Sequence, residues 1–101
     1  MVEKRTAHYD LREILATVSK RGIDSFTKTA VLGIDAIGLT QAQGLRVVLD
    51  LQRTMLFKSM TTHADHRVWQ DVYHAPCPNG KVAYVKVTVQ LGATVIQFKE
   101  R

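Results

Sequence analysis

Cysteine is nearly absent: Cys77 is the single thiol in 101 residues, so no disulfide within the chain can staple the fold. Proline is scarce as well, with Pro76 and Pro78 the only two, and no low-complexity tract, linker or internal repeat interrupts the chain. No apolar run approaches the roughly 20 residues of a membrane-spanning helix. The start, Met-Val-Glu-Lys-Arg, lacks the hydrophobic stretch of a signal peptide. Acidic residues run short in the second half, where three Asp/Glu face seven Lys/Arg; residues 1–50 hold six against seven. These shortages exclude a disulfide scaffold and a helical membrane protein. A reduced, cytoplasmic protein forming a single domain over residues 1–101 is expected, with no membrane association.

What is present is enough apolar material for one modest core, since 46% of the residues are hydrophobic. The net charge of +5 is concentrated in residues 51–101. A basic region of this kind draws polyanions, or an acidic protein, through long-range fields that salt screens.

The first half reads as helices. Leu11, Ile14, Leu15 and Val18 fall at i, i+3, i+4 and i+7, one apolar face of a helix over about 8–20, with Gly22 as its stop. Ser25 is placed to cap a short second helix reaching Leu32, with Phe26, Ala30 and Val31 turned inward. Thr40 and Gln43 form a T-x-x-Q capping box ahead of a third helix over about 41–51. Every feature here has a structural explanation, and this half reads as scaffold.

From about residue 54 the period changes to two. Ala83, Val85, Val87, Val89 and Leu91 alternate with Val82, Tyr84, Lys86, Thr88 and Gln90, so one set faces the helices and the other faces solvent or a ligand. Residues 93–99 repeat the pattern, with Lys99 opposite Phe98, after a tight turn at Leu91-Gly92. Two earlier strands, about 53–61 and 67–75, are joined by the polar loop at 62–66. In the second of these, large apolar residues fall on both faces, so alternation alone does not assign Gln70. The expected fold is a two-layer α+β domain, three N-terminal helices packed on a C-terminal four-stranded antiparallel sheet.

Lysine, glutamine and tyrosine inside β-rich runs are costly unless a strand face is used for something. Lys58, Gln70, Tyr84, Lys86 and Lys99 form such a group, on strands that lie about 4.8 Å apart and can converge over one phosphate. RNA suits this set. Its own 2′-OH attacks the phosphorus once a base takes the proton; an acid protonates the departing 5′-oxygen, and cations hold the phosphorane's charge. Lysine and tyrosine fill these roles when burial or like charge lowers their pKa. His63-x-x-His66 lacks a second ligand pair and reads as a polar loop rather than a metal site, so neither metal nor cofactor is expected. His66 stays a candidate through its nearness to Trp69 and Gln70, whereas His8, at a helix start, and His74, at a strand end, show no partner.

The chain resembles the motility quorum-sensing regulator (MqsR) toxin family of mRNA interferases, with a RelE/YoeB-like fold. Five blocks carry the resemblance in order: Glu3-Lys4-Arg5-Thr6, Lys58-Ser59-Met60-Thr61-Thr62, Asp65-His66, Trp69-Gln70-Asp71-Val72-Tyr73 and Phe98-Lys99-Glu100. The likeness implies catalytic roles for Lys58, Gln70, Tyr84 and Lys99. RNA contacts are expected from Tyr73, His66 and Lys81 and, as more distant electrostatic guides, from Lys86 and Arg101, with base stacking for Tyr73 and either stacking or core packing for Trp69. The family is one of mRNA-cleaving toxins. The likeness further implies cleavage of single-stranded mRNA at short GC-containing sites, translation inhibition and growth arrest. The implied partner is an MqsA-like antitoxin with a zinc-binding N-terminal region and a DNA-binding C-terminal one, DNA being reached only through it. The alternative is a non-catalytic RNA-binding or regulatory module whose basic sheet face holds RNA or an acidic partner without cleaving it. A DNA-binding regulator is disfavoured because no helix carries a basic recognition face.

Overall fold

Three oxygen-bearing residues start the helices of the computed structural model, which describes residues 2–101. Asp10 caps α1 (Leu11–Arg21), Thr27 caps α2 (Lys28–Ala36), and Thr40 with Gln43 closes the capping box of α3 (Gln41–Leu49). Gly22 ends α1 at φ +60°, a left-handed conformation that costs glycine nothing. Ser25 does not cap the second helix. It lies in a 3-10 turn, Gly22–Ser25, and the chain extends through Phe26 so that the Thr27 N–H reaches the Ile96 carbonyl at 3.1 Å. That tie to the last strand moves the cap to Thr27.

The sheet has five strands, β1 (Glu3–Lys4), β2 (Leu56–Thr61), β3 (Trp69–Pro76), β4 (Val82–Gln90) and β5 (Ala93–Glu100), side by side in chain order and antiparallel throughout. The class is the expected α+β, with one strand more than the four anticipated. β1 is two residues long, too short to show alternation, and is held by pairing with β2 and by the Val2 N–H on Thr61 Oγ1. Residues 53–55 form a 3-10 turn rather than the start of β2.

Helices and sheet meet over Ile14, Val18, Ile34 and Val48 on one side and Tyr73, Val85, Ile96 and Phe98 on the other. α2 lies so close to β5 that a Cβ at Gly33 would run into the Phe98 carbonyl. This contact sets the wall between α2 and the edge of the sheet. Alanine at a helical glycine ordinarily gains about 0.5–1 kcal/mol, but overpacking against a fixed backbone costs about 1–3 kcal/mol. Gly33→Ala is therefore expected to lower stability on balance, read as a reduced denaturant midpoint at unchanged m-value. A midpoint at or above that of the parent would show that α2 can move off β5.

Candidate active site

Strand register sorts the polar residues of the second half onto one face. Opposite residues across antiparallel strands share a face, which gives three rows on the side away from the helices. Met60, Gln70, Thr88 and Val95 form the first; Lys58, Val72, Lys86 and Gln97 the second; His74, Tyr84 and Lys99 the third. Gln70, ambiguous from alternation, thus stands on the face that carries Lys58, Tyr84, Lys86 and Lys99. Val72 is fully buried at the centre, and Lys58, Lys86 and Tyr84 around it are half-buried.

A bulge aims Lys58. Leu56 pairs with Tyr73, and two residues later Lys58 pairs with Val72 instead of Asp71. Leu56 packs against the core side, and without the extra residue Lys58 would follow it there. Phe57, at the bulge, stacks on the His74 ring with centroids 4.4 Å apart and 20° between planes.

Three ammonium groups converge on this face. The Lys86 and Lys99 nitrogens stand 5.8 and 5.2 Å from the Tyr84 ring centroid, both within cation–π range. Burial, then the charges of Lys99 and Lys58, hold the Lys86 ammonium below the usual lysine value. Lys86, expected as a more distant guide, is the middle of the cluster. Lys58 is partly neutralised by Glu3, whose carboxylate accepts from Nζ at 2.7 Å. That hydrogen bond and charge keep the Glu3 carboxyl below the usual carboxylate range. β1 is thus what brings a carboxylate to the site.

A cleft of about 280 Å³ opens beside these lysines, between the first turn of α2 and β5, lined by Thr29, Tyr84, Lys86, Gln97 and Lys99 among others. It is continuous with the lysine cluster through Tyr84, Lys86 and Lys99, so an anionic chain crossing the face can run into it.

Several expected contacts lie elsewhere. Tyr73 is in the hydrophobic core, 2% exposed, and burial followed by the Asp71 charge pushes its phenol up to about 12. It cannot stack on a base, because its parity on β3 is opposite to that of Gln70 and His74. Trp69 shares that opposite side and is occupied by the His8 ring, stacked at 5.1 Å and 13°, and by Lys4 at 4.3 Å. Lys81 is exposed and faces Glu100 at 3.9 Å, outside the cluster. His66 is exposed in the β2–β3 loop, past the Gln70 end of the sheet. Arg101 extends β5, its N–H on the Val82 carbonyl, and its charge acts on His74. Among the described residues no three His, Cys, Asp or Glu side chains come together as metal ligands.

Sequence reasoning passed over two residues here. Glu3 lacked a signal because its strand is so short. His74 looked partnerless because Phe57 and Tyr84 reach it only across strands.

Fold and face together define a small α+β protein whose open sheet surface gathers the positive charges of Lys58, Lys86 and Lys99 around Tyr84. The family described as motility quorum-sensing regulator, toxin of MqsA, matches residues 6–100. The mRNA interferase toxin MqsR of Escherichia coli (strain K12) is 36% identical over 100 residues, covering 99% of this chain and 100% of the relative. The chain belongs to the MqsR toxin family.

The lysine cluster makes a measurable claim. In an NMR titration of the lysine side chains, Lys86 should titrate below a fully solvated lysine, and Lys99→Met should move it back up. A Lys86 titration coincident with the exposed lysines, before and after the substitution, would mean that the ammonium groups do not sense one another.

Proposed function

We propose that the chain is the toxin of a toxin–antitoxin pair and an endoribonuclease that cuts single-stranded mRNA without a metal ion, in the cytoplasm. The observation that carries this is the convergence of Lys58, Lys86 and Lys99 around Tyr84 on one sheet face, in a chain whose relative is named an mRNA interferase. As the family resemblance implies, cuts fall at short GC-containing sites, and an MqsA-like antitoxin, zinc-binding at its N-terminal region and DNA-binding at its C-terminal one, restrains the activity.

On this reading Lys58 and Lys99 hold the scissile phosphate from two sides, and a phosphate oxygen replaces the Glu3 carboxylate at Lys58. Gln70 positions the nucleotide one row away. Tyr84 fixes the Lys86 and Lys99 ammonium groups by its ring and turns its hydroxyl to the phosphate. Lys86, made more acidic by burial and by its two neighbours, protonates the departing 5′-oxygen. A central lysine held below its usual value by burial and like charge gives up its proton more readily than a solvated one, which suits proton transfer.

Lys99 and Lys81 separate chemistry from general attraction. Lys99 is exposed on the open face, so Lys99→Ala should change stability by less than about 0.5 kcal/mol. Its cleavage rate under single-turnover, enzyme-saturating conditions should fall by about two to three decades, the scale for losing one preorganised transition-state donor. Lys81→Ala should weaken binding modestly, reduce its salt dependence and leave the chemical step alone. Equal, small losses in both variants would remove Lys99 from the catalytic set.

A further inference from the structure

We infer that His74 is the general base of this site, the group that takes the 2′-hydroxyl proton when RNA is cut. The inference rests on the reading of the chain as an endoribonuclease and names a residue that neither the strand alternation nor the family motifs pointed to.

His74 lies in the row with Tyr84 and Lys99, on the same open face as Lys58 and Lys86. Its ring is held from two sides, stacked on Phe57 at 4.4 Å and tilted against Tyr84 at 5.7 Å. Stacking fixes the plane of the imidazole and leaves its in-plane nitrogens as the groups that can meet a substrate. Its Tyr84 neighbour carries Lys86 and Lys99 over its own ring, so a phosphate bound by those lysines lies beside the imidazole.

The chemistry of the cluster calls for such a group. Lysine ammonium groups and a phenol are proton donors at neutral pH, and none of them accepts a proton from a sugar hydroxyl without first losing its own. The charged and titratable groups facing His74 are Arg5 and Lys58 on the Phe57 side, Tyr84 and Lys86 on β4, and Lys99 and Arg101 on β5 and just beyond. The Glu3 carboxylate stands opposite Met60 in the Gln70 row, at the β1 edge of the sheet and two rows from His74, Tyr84 and Lys99. Burial, then the Arg101 charge, holds the imidazole below the usual histidine value, so at neutral pH it is the free base.

The step balances without any further reagent. The 2′-hydroxyl proton passes to a ring nitrogen of His74, the 2′-oxygen forms a bond to phosphorus, and the bond from phosphorus to the 5′-oxygen breaks. Lys86 gives its proton to that oxygen. The products are a 2′,3′-cyclic phosphate and a 5′-hydroxyl, and the imidazolium and neutral amine exchange protons with water to reset the site.

The test is a pH profile of single-turnover RNA cleavage by the full chain and by His74→Phe and His74→Gln. Phenylalanine keeps the stack on Phe57 and cannot carry a proton; glutamine keeps a polar group without a base. For the parent, the rate should rise with pH through an inflection below the ordinary histidine value of about 6.5 and then level off. Both variants, with melting temperatures close to the parent's, should lose about a hundredfold or more at neutral pH, and that rising limb should vanish. A variant that keeps the parent's rate overturns the assignment. So does one that is slower yet retains the same limb, because another group is then the base and His74 only packs. Absence of RNA cleavage by the parent at every pH would overturn the endoribonuclease reading itself, an outcome distinct from either of these.

Discussion

The buried carboxylate of Asp71 is the interaction on which the site depends. It is 1% exposed, and it accepts hydrogen bonds from the backbone N–H groups of His8 and Tyr9 and from the Ser59 hydroxyl at 2.6 Å. Bonds to a charged acceptor are each worth about 1.5–3 kcal/mol, and an unpaired buried charge costs more. Asp71 therefore has one tolerable position, pointing to the helix side of β3 beneath the N-terminal segment. Its neighbours Gln70 and Val72 then point to the other face. A slip of one residue would reverse them all and expel the carboxylate from its donors. The same bonds hold residues 8 and 9 against β3 and so help place β1, from which Glu3 reaches Lys58.

A second constraint follows from like charge. Lys58, Lys86 and Lys99 repel one another, and the fold tolerates them because each has local compensation. Glu3 pairs with Lys58, and the Tyr84 ring lies under the other two. Neither arrangement contributes much to stability at a partly exposed surface. Their consequence is a face prepared for an anion, where a phosphate relieves a repulsion that is already present. The cleft under α2 extends that face, and its width is fixed by the glycine contact between α2 and β5.

Much of this was legible in the sequence, and for physical reasons. Alternation in residues 82–91 and 93–99 placed Tyr84, Lys86 and Lys99 together because strands with one buried face have period two. The T-x-x-Q box announced α3, since its two hydrogen bonds are local. What escaped depended on distant partners. Lys58 shares sequence parity with Leu56, and only the bulge puts it on the other face. Tyr73 was expected at the RNA surface as part of the Trp69–Tyr73 block; burial against the helices decides otherwise. The choice of Thr27 over Ser25 as a cap was made by Ile96, 69 residues away from Thr27 along the chain. His74 acquired its significance only when Phe57 and Tyr84 closed around it.

The central claim is that this face cuts RNA through the substrate's own 2′-hydroxyl, with lysines in place of a metal. The most direct measurement compares a single-stranded RNA that the purified protein cuts with the same strand carrying one 2′-deoxy nucleotide on the 5′ side of the cut, both in excess chelator. The account predicts cleavage of the all-RNA strand to a 2′,3′-cyclic phosphate and a 5′-hydroxyl, and an intact deoxy strand that still binds. Cutting of the deoxy strand at that bond, or cleavage that requires an added divalent ion, would contradict it.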